Sequence, residues 1–145
     1  MTQLSQKAKY ALRALYALAR AGSARPIRAE DLAAGEEIPR KFLESILLEL
    51  THAGILESRR GKGGGYLLCR RPEDIAVGDV IRLIDGPLVP VPCLLDGGAR
   101  CEGCPGDTAC GTRRVMGRVA GAVAAILDAT TVADASAEAW LVVSS

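Results

Sequence analysis

Apolar residues recur at spacings of three and four along the first twenty positions. Leu4, Ala8, Ala11, Leu12, Leu15, Leu18 and Ala19 fall on one side, with Lys7, Lys9, Arg13 and Arg20 mostly off it. That period predicts an amphipathic helix over residues 4–20, ended by Gly22 and Pro26. A short helix is expected at 29–34, carrying Leu32 and Ala33. A third opens near Pro39, where proline is tolerated at a first helical position, and buries Phe42, Leu43, Ile46, Leu47 and Leu50. His52-Ala53-Gly54 stops it. Two short strands follow, Ile55–Arg59 and Gly65–Cys69, joined by a glycine- and cation-rich tip at 60–64. Residues 78–84 predict a helix burying Val80, Ile81 and Leu83, and a proline-punctuated connector runs from Gly86 to Pro92. Helical periodicity returns over 112–128 through Val115, Val119, Ala122, Val123, Ile126 and Leu127, and 131–143 suggests one more short helix.

Helix, helix, turn, helix and a two-stranded hairpin is the order of a winged helix–turn–helix. The expected fold class is therefore mainly α with a small β wing. Three regions are expected: a DNA-binding domain over 1–85, a cysteine-rich loop over 86–111, and a dimerisation helix with a C-terminal tail over 112–145. The small residues of the last helix (Gly117, Ala120, Gly121, Ala124, Ala125) permit close approach of a second helix, so a second subunit is its expected partner. On the third helix, Arg40, Lys41, Glu44 and Ser45 avoid the apolar face, where base edges in a major groove would meet them. Arg59, Arg60 and Lys62 at the wing suit phosphates or a minor groove, and the glycines beside them allow close backbone approach. Taken singly, Arg40 and Lys41 also fit a solvated helix face. Gly63-Gly64-Gly65 also fits a flexible tip, but it lacks the spacing of a nucleotide-binding loop.

Charge sharpens this division. The net charge of +1 is uninformative, but residues 1–71 carry 13 Lys and Arg against 7 Asp and Glu, and residues 72–145 carry 5 against 10. A basic first half suits a polyanionic partner. The apolar fraction of 49% supports a core, and with only five aromatic residues the core must be aliphatic. No run approaches a membrane span, and the cation-bearing N-terminus lacks a cleavage site, so a cytoplasmic location without membrane partners is expected.

Four of five cysteines lie in one 18-residue window, as Cys93-x7-Cys101-x2-Cys104-x5-Cys110, among Gly97, Gly98, Gly103, Pro105, Gly106 and Gly111. Thiolates bind soft metals and iron–sulfur clusters, and glycine-rich backbone lets several converge. Four thiolates also suit zinc, although only Cys101 and Cys104 form the short knuckle that closed zinc sites usually repeat. A metal-free thiol switch is a further reading. Cys69, beside Leu67 and Leu68, reads as a buried structural cysteine, and His52 as a helix-end residue. No dinucleotide fingerprint, paired carboxylate site or Cys/His nucleophile pair is present, so neither an enzyme nor an electron carrier is favoured.

The stretches KAKYALRAL (7–15), IPRKFLESILLEL (38–50), GILESRRGKGGGYLL (54–68) and IAVGDVIRLID (75–85) resemble the Rrf2 family of bacterial transcriptional regulators. The R-G-x-G-G-G-Y wing at Arg60–Tyr66 is the most diagnostic element, and the likeness runs to about Asp134. The resemblance implies a homodimer on double-stranded DNA with a palindromic operator, contacted through Arg60, Lys41, Glu44 and Ser45. With the basic-half residues Lys7, Tyr10, Arg28, Pro39, Arg40, Arg59, Lys62, Gly63 and Gly64, these form the candidate DNA-binding set. Iron–sulfur members hold a cluster, of two-iron or four-iron type, with three loop cysteines and a variable fourth ligand. Here Cys93, Cys101, Cys104 and Cys110 are the candidates, one more than the family pattern needs; Gln6 lies near a position other members use. The implied function is a repressor or activator responding to iron, redox state or nitric oxide. A metal-free thiol-switch or partner-binding regulator of the same fold is the alternative.

Overall fold

A computed structural model of the chain describes residues 3–22, 24–95, 103–104 and 110–137. Helix α1 spans Gln6–Ala21, α2 Ala29–Glu36 and α3 Arg40–His52. Strands β1 (Leu56–Arg59) and β2 (Gly65–Leu68) follow, then α4 (Val77–Asp85) and α5 (Gly111–Ala129). Short 3₁₀ turns at Pro72–Asp74 and Pro92–Leu94 were not expected from periodicity. The helices fall within two residues of the predicted spans, because long apolar stripes dominate their formation.

The termini of these helices follow from local chemistry. Ser5 caps α1, its Oγ accepting from the Ala8 N–H at 3.0 Å. Pro39 is the residue before α3, one position earlier than expected, with extended backbone (φ −55°, ψ 127°). Glu37 takes a left-handed conformation (φ 54°) to make the turn between α2 and α3, and the Ile38 N–H closes it on the Ala33 carbonyl at 2.9 Å. Ile38 is itself buried, so its packing offsets the strain of a non-glycine residue there.

The core is aliphatic, as composition required. Ala11, Leu15, Leu43, Ile46, Leu47, Leu50, Ile75, Val80 and Val132 have no exposed surface. Three sequence expectations need correction. Phe42 is only half-buried, because it leaves the core face to meet Tyr10 edge-on at 5.5 Å. Leu83 is exposed, because the buried stripe of α4 runs through Val77, Val80 and Ile81, with Ile84 packed beside it. Cys69 is exposed: it follows the last residue of β2, where its N–H still donates to the Ile55 carbonyl at 2.9 Å but its side chain lies outside the core.

β1 and β2 pair antiparallel, with Leu56 opposite Leu68 and Arg59 opposite Gly65. A further pairing ties the wing to the segment before α2: Ile27 and Tyr66 exchange backbone hydrogen bonds of 2.9 and 2.8 Å.

α5 has no buried residue of its own. It is rooted at its C-terminal end, where the Val77 N–H donates to Thr130 and the Val132 N–H to Ile75, at 2.9 and 2.8 Å. Arg82 of α4 grips Asp128 through two hydrogen bonds of 2.7 and 2.9 Å. This pairing raises the Arg82 pKa and lowers that of Asp128. Gly78 sits beneath it, where a Cβ would lie 2.2 Å from the Asp128 carboxylate. Of the helix expected over 131–143, residues 132–137 are helical and the rest lies outside the described residues. No helix among the described residues is long and apolar enough to cross a membrane.

Candidate functional site

α3 divides cleanly. Leu43, Ile46, Leu47 and Leu50 point into the core, and Arg40, Lys41, Glu44 and Ser45 are exposed on the other side, as the period requires. Leu48, which sequence reasoning did not single out, shares that outer side and is 54% exposed.

Most of the candidate cations already have acidic partners. Arg40 meets Glu44 at 3.1 Å and Glu30 of α2 at 3.5 Å, and Glu30 also reaches Arg28 at 3.6 Å. Lys7 pairs with Glu49 at 2.6 Å, joining α1 to α3. Arg59 is held by Glu57 at 3.0 Å. Lys41, Arg60 and Lys62 have no such ion pair among the described residues. Exposed ion pairs of this kind are worth at most about 1 kcal/mol, so exchanging a carboxylate for a phosphate costs little. Tyr10 is half-buried between Phe42 and Arg13, whose guanidinium lies 5.7 Å from the ring centre. Tyr10 thus packs α1 on α3 beside the candidate surface, and Pro39 is exposed at the start of α3.

The wing tip depends on its glycines in two ways. Gly61 and Gly63 have φ of 88° and 78°, the left-handed region that side chains resist. Gly64 is constrained by space: a Cβ there would lie 2.3 Å from the Arg59 carbonyl oxygen. Arg60 and Lys62 are carried outward between these turns, both exposed.

At the other end of the chain, Cys110 is the residue before α5, and its Sγ accepts from the Arg113 N–H at 3.4 Å. The Arg113 side chain turns back, and its Nε donates to the Cys93 carbonyl at 3.3 Å. One arginine therefore ties both borders of the cysteine window to the first turn of α5. Cys93, Cys104 and Cys110 are half-exposed and in no disulfide; Cys101 lies outside the described residues. Among the described residues, no three Cys, His, Asp or Glu side chains are gathered as for a metal ion. His52 is exposed at the end of α3, and Gln6 is exposed at the start of α1. Sequence reasoning missed Arg113, whose only signal was its place three residues after Cys110.

Comparison with known proteins fits this architecture. The sequence profile of the Rrf2 family, described as an iron-dependent transcriptional regulator, matches residues 4–138. An rrf2-like HTH-type transcriptional regulator of Rhodobacter capsulatus is 38% identical over 135 residues, covering 90% of both chains. The structure of CymR, the global cysteine regulator of B. subtilis, matches with a TM-score of 0.80 and 30% identity, over 95% of this chain and 98% of that one. The structure of T. potens IscR matches with a TM-score of 0.75 and 29% identity, over 94% and 88%. These relatives are named as regulators, not enzymes. The two-stranded sheet after α3 is the wing of a winged helix, and the chain belongs to the Rrf2 family of transcriptional regulators.

Proposed function

We propose that this regulator acts as a homodimer on a palindromic operator, and that an iron–sulfur cluster held by Cys93, Cys101, Cys104 and Cys110 modulates its DNA affinity. The observation that carries the reading is the Cys110–Arg113–Cys93 arrangement at the start of α5. The chemistry of the donors fits a cluster: the described thiols are free, partly accessible and set in glycine-rich chain. When bound, such a cluster supplies a centre that responds to iron supply, oxidation or nitric oxide.

The chain's own residues do the rest. Val115, Val119 and Ile126 form an exposed apolar stripe on α5 suited to a second copy. Two-fold symmetry then sets the two α3 helices about one DNA turn, roughly 34 Å, apart. Lys41, Arg60 and Lys62 meet DNA directly; Arg28, Arg40 and Arg59 exchange acidic partners for phosphates or bases. Lys7 and Tyr10 hold α1 against α3, and Gly63 and Gly64 let the wing backbone approach. Arg113 transmits a change at Cys110 to the base of α5. A differential of about 1.4 kcal/mol between two states of the loop changes operator affinity tenfold.

The test is anaerobic purification with an absorbance spectrum, iron and sulfide counts, and DNA binding before and after chelation. Iron and sulfide in the wild type, lost in Cys110→Ala, is the expected result. A colourless protein without iron or sulfide sinks the cluster. The likeness to CymR, named as a global cysteine regulator, favours a second reading: a metal-free regulator with a thiol switch or protein partner. It requires full DNA affinity after chelation.

A further inference from the structure

The outer side of α3 carries one residue that hydrogen bonding to DNA does not explain. Leu48 is 54% exposed, on the same side as Lys41, Glu44 and Ser45. These four stand at i, i+3, i+4 and i+7. That is the spacing with which a helix lying in a major groove meets successive base edges, as homeodomain recognition helices do. In projection Leu48 falls within about 20° of Lys41, opposite the buried stripe, and about 10 Å farther along the axis. Its neighbours on that side are polar, whereas Val115, Val119 and Ile126 of α5 make one exposed apolar stripe suited to a helix–helix seam.

We propose that Leu48 is a specificity-determining residue that packs on the C5 methyl group of a thymine in each operator half-site. A leucine side chain has no donor or acceptor. The thymine methyl is the apolar feature of the major-groove code, read by apolar contact rather than by hydrogen bonds. Lys41 and Ser45 donate to base or phosphate oxygens, Glu44 accepts from a cytosine amino group, and Leu48 adds an apolar requirement at one position. The inference rests on the proposed DNA binding and is independent of the cluster.

The experiment is selection from a random duplex library by the full-length, anaerobically purified protein, its Leu48→Ala variant and its Leu48→Met variant. The wild type is expected to enrich a symmetric site with one thymine per half-site that Leu48→Ala no longer prefers, while Leu48→Met keeps it. Replacing that thymine with deoxyuridine removes only the methyl group. It should weaken wild-type binding about fourfold per half-site, the worth of one buried methyl, and leave Leu48→Ala binding unchanged. The same motif from the wild type and Leu48→Ala, or wild-type indifference to deoxyuridine, overturns the proposal. A wild-type selection that enriches no motif overturns the DNA reading beneath it, a different outcome.

Discussion

In the winged-helix half, the 13 residues of α3 supply four side chains with almost no exposed surface; the 19 residues of α5 supply none. Both helices are amphipathic, and both were legible from their period. They differ in what lies opposite the apolar face. For α3 it is α1 and α2, close in sequence; α5 meets the rest of the described chain mainly at its C-terminal root, with the Pro92–Leu94 turn touching its first half. Apolar periodicity thus announces that a face will be covered without saying by what. In the proposed homodimer, a helix with so little intrachain packing would draw its stability from the second copy.

The contrast breaks most sharply at the core. Leu47→Ala should lower the unfolding free energy by about 2–5 kcal/mol in urea titration, since Leu47 has no exposed surface. Next come two neighbours on α5. Ile126 is 66% exposed, whereas Leu127 packs against the core. Ile126→Ala should weaken self-association by about 1.5–3 kcal/mol per dimer in sedimentation experiments and leave unfolding of the monomer nearly unchanged. Leu127→Ala should lower monomer stability instead. If both variants act on stability alone, α5 has no partner and the comparison fails.

A smaller effect is expected at the wing. Gly64→Ala should cost about 1–3 kcal/mol, as the Arg59 carbonyl must move, and should weaken DNA binding more than it lowers stability. The smallest concerns the root of α5. Asp128 has its pKa lowered by Arg82, so the pair contributes above the ordinary carboxylate pKa and is lost as pH falls through the lower folded value. The stability difference between wild type and Asp128→Asn should therefore be constant near neutrality and close below about pH 4. A difference that persists in acid shows that Asn disturbs the packing around Gly78 instead.

Much of this molecule was readable before its structure. The spans of α1, α3 and α5, the hairpin and the outward cations of α3 follow from period and turn chemistry, which are local. What escaped depends on contacts between distant segments. Ile27 pairing with Tyr66, Val132 entering the core beside Ile75, and Glu30 and Glu49 pairing with candidate DNA-contacting cations leave no mark at fixed spacing. Cys69 misled for another reason: it stands one residue past β2, where apolar neighbours in the sequence no longer imply a place in the core. The family likeness carried the cysteine window as a motif, but Arg113 joining its borders emerged only from the fold.

That link has a consequence for chain entropy. The Arg113 hydrogen bond at 3.3 Å holds Cys93 beside the turn that begins with Cys110, so the two borders of a sixteen-residue interval are brought together by a contact that requires no ligand. Closing an interval of that length costs about 2.5 kcal/mol. Here that cost falls on folding, and a ligand bound as proposed would meet two borders already tied to one arginine. If the loop binds a cluster as proposed, replacing Arg113 would return the cost to the binding step, so a side chain that touches no ligand would help set the concentration at which the loop is filled.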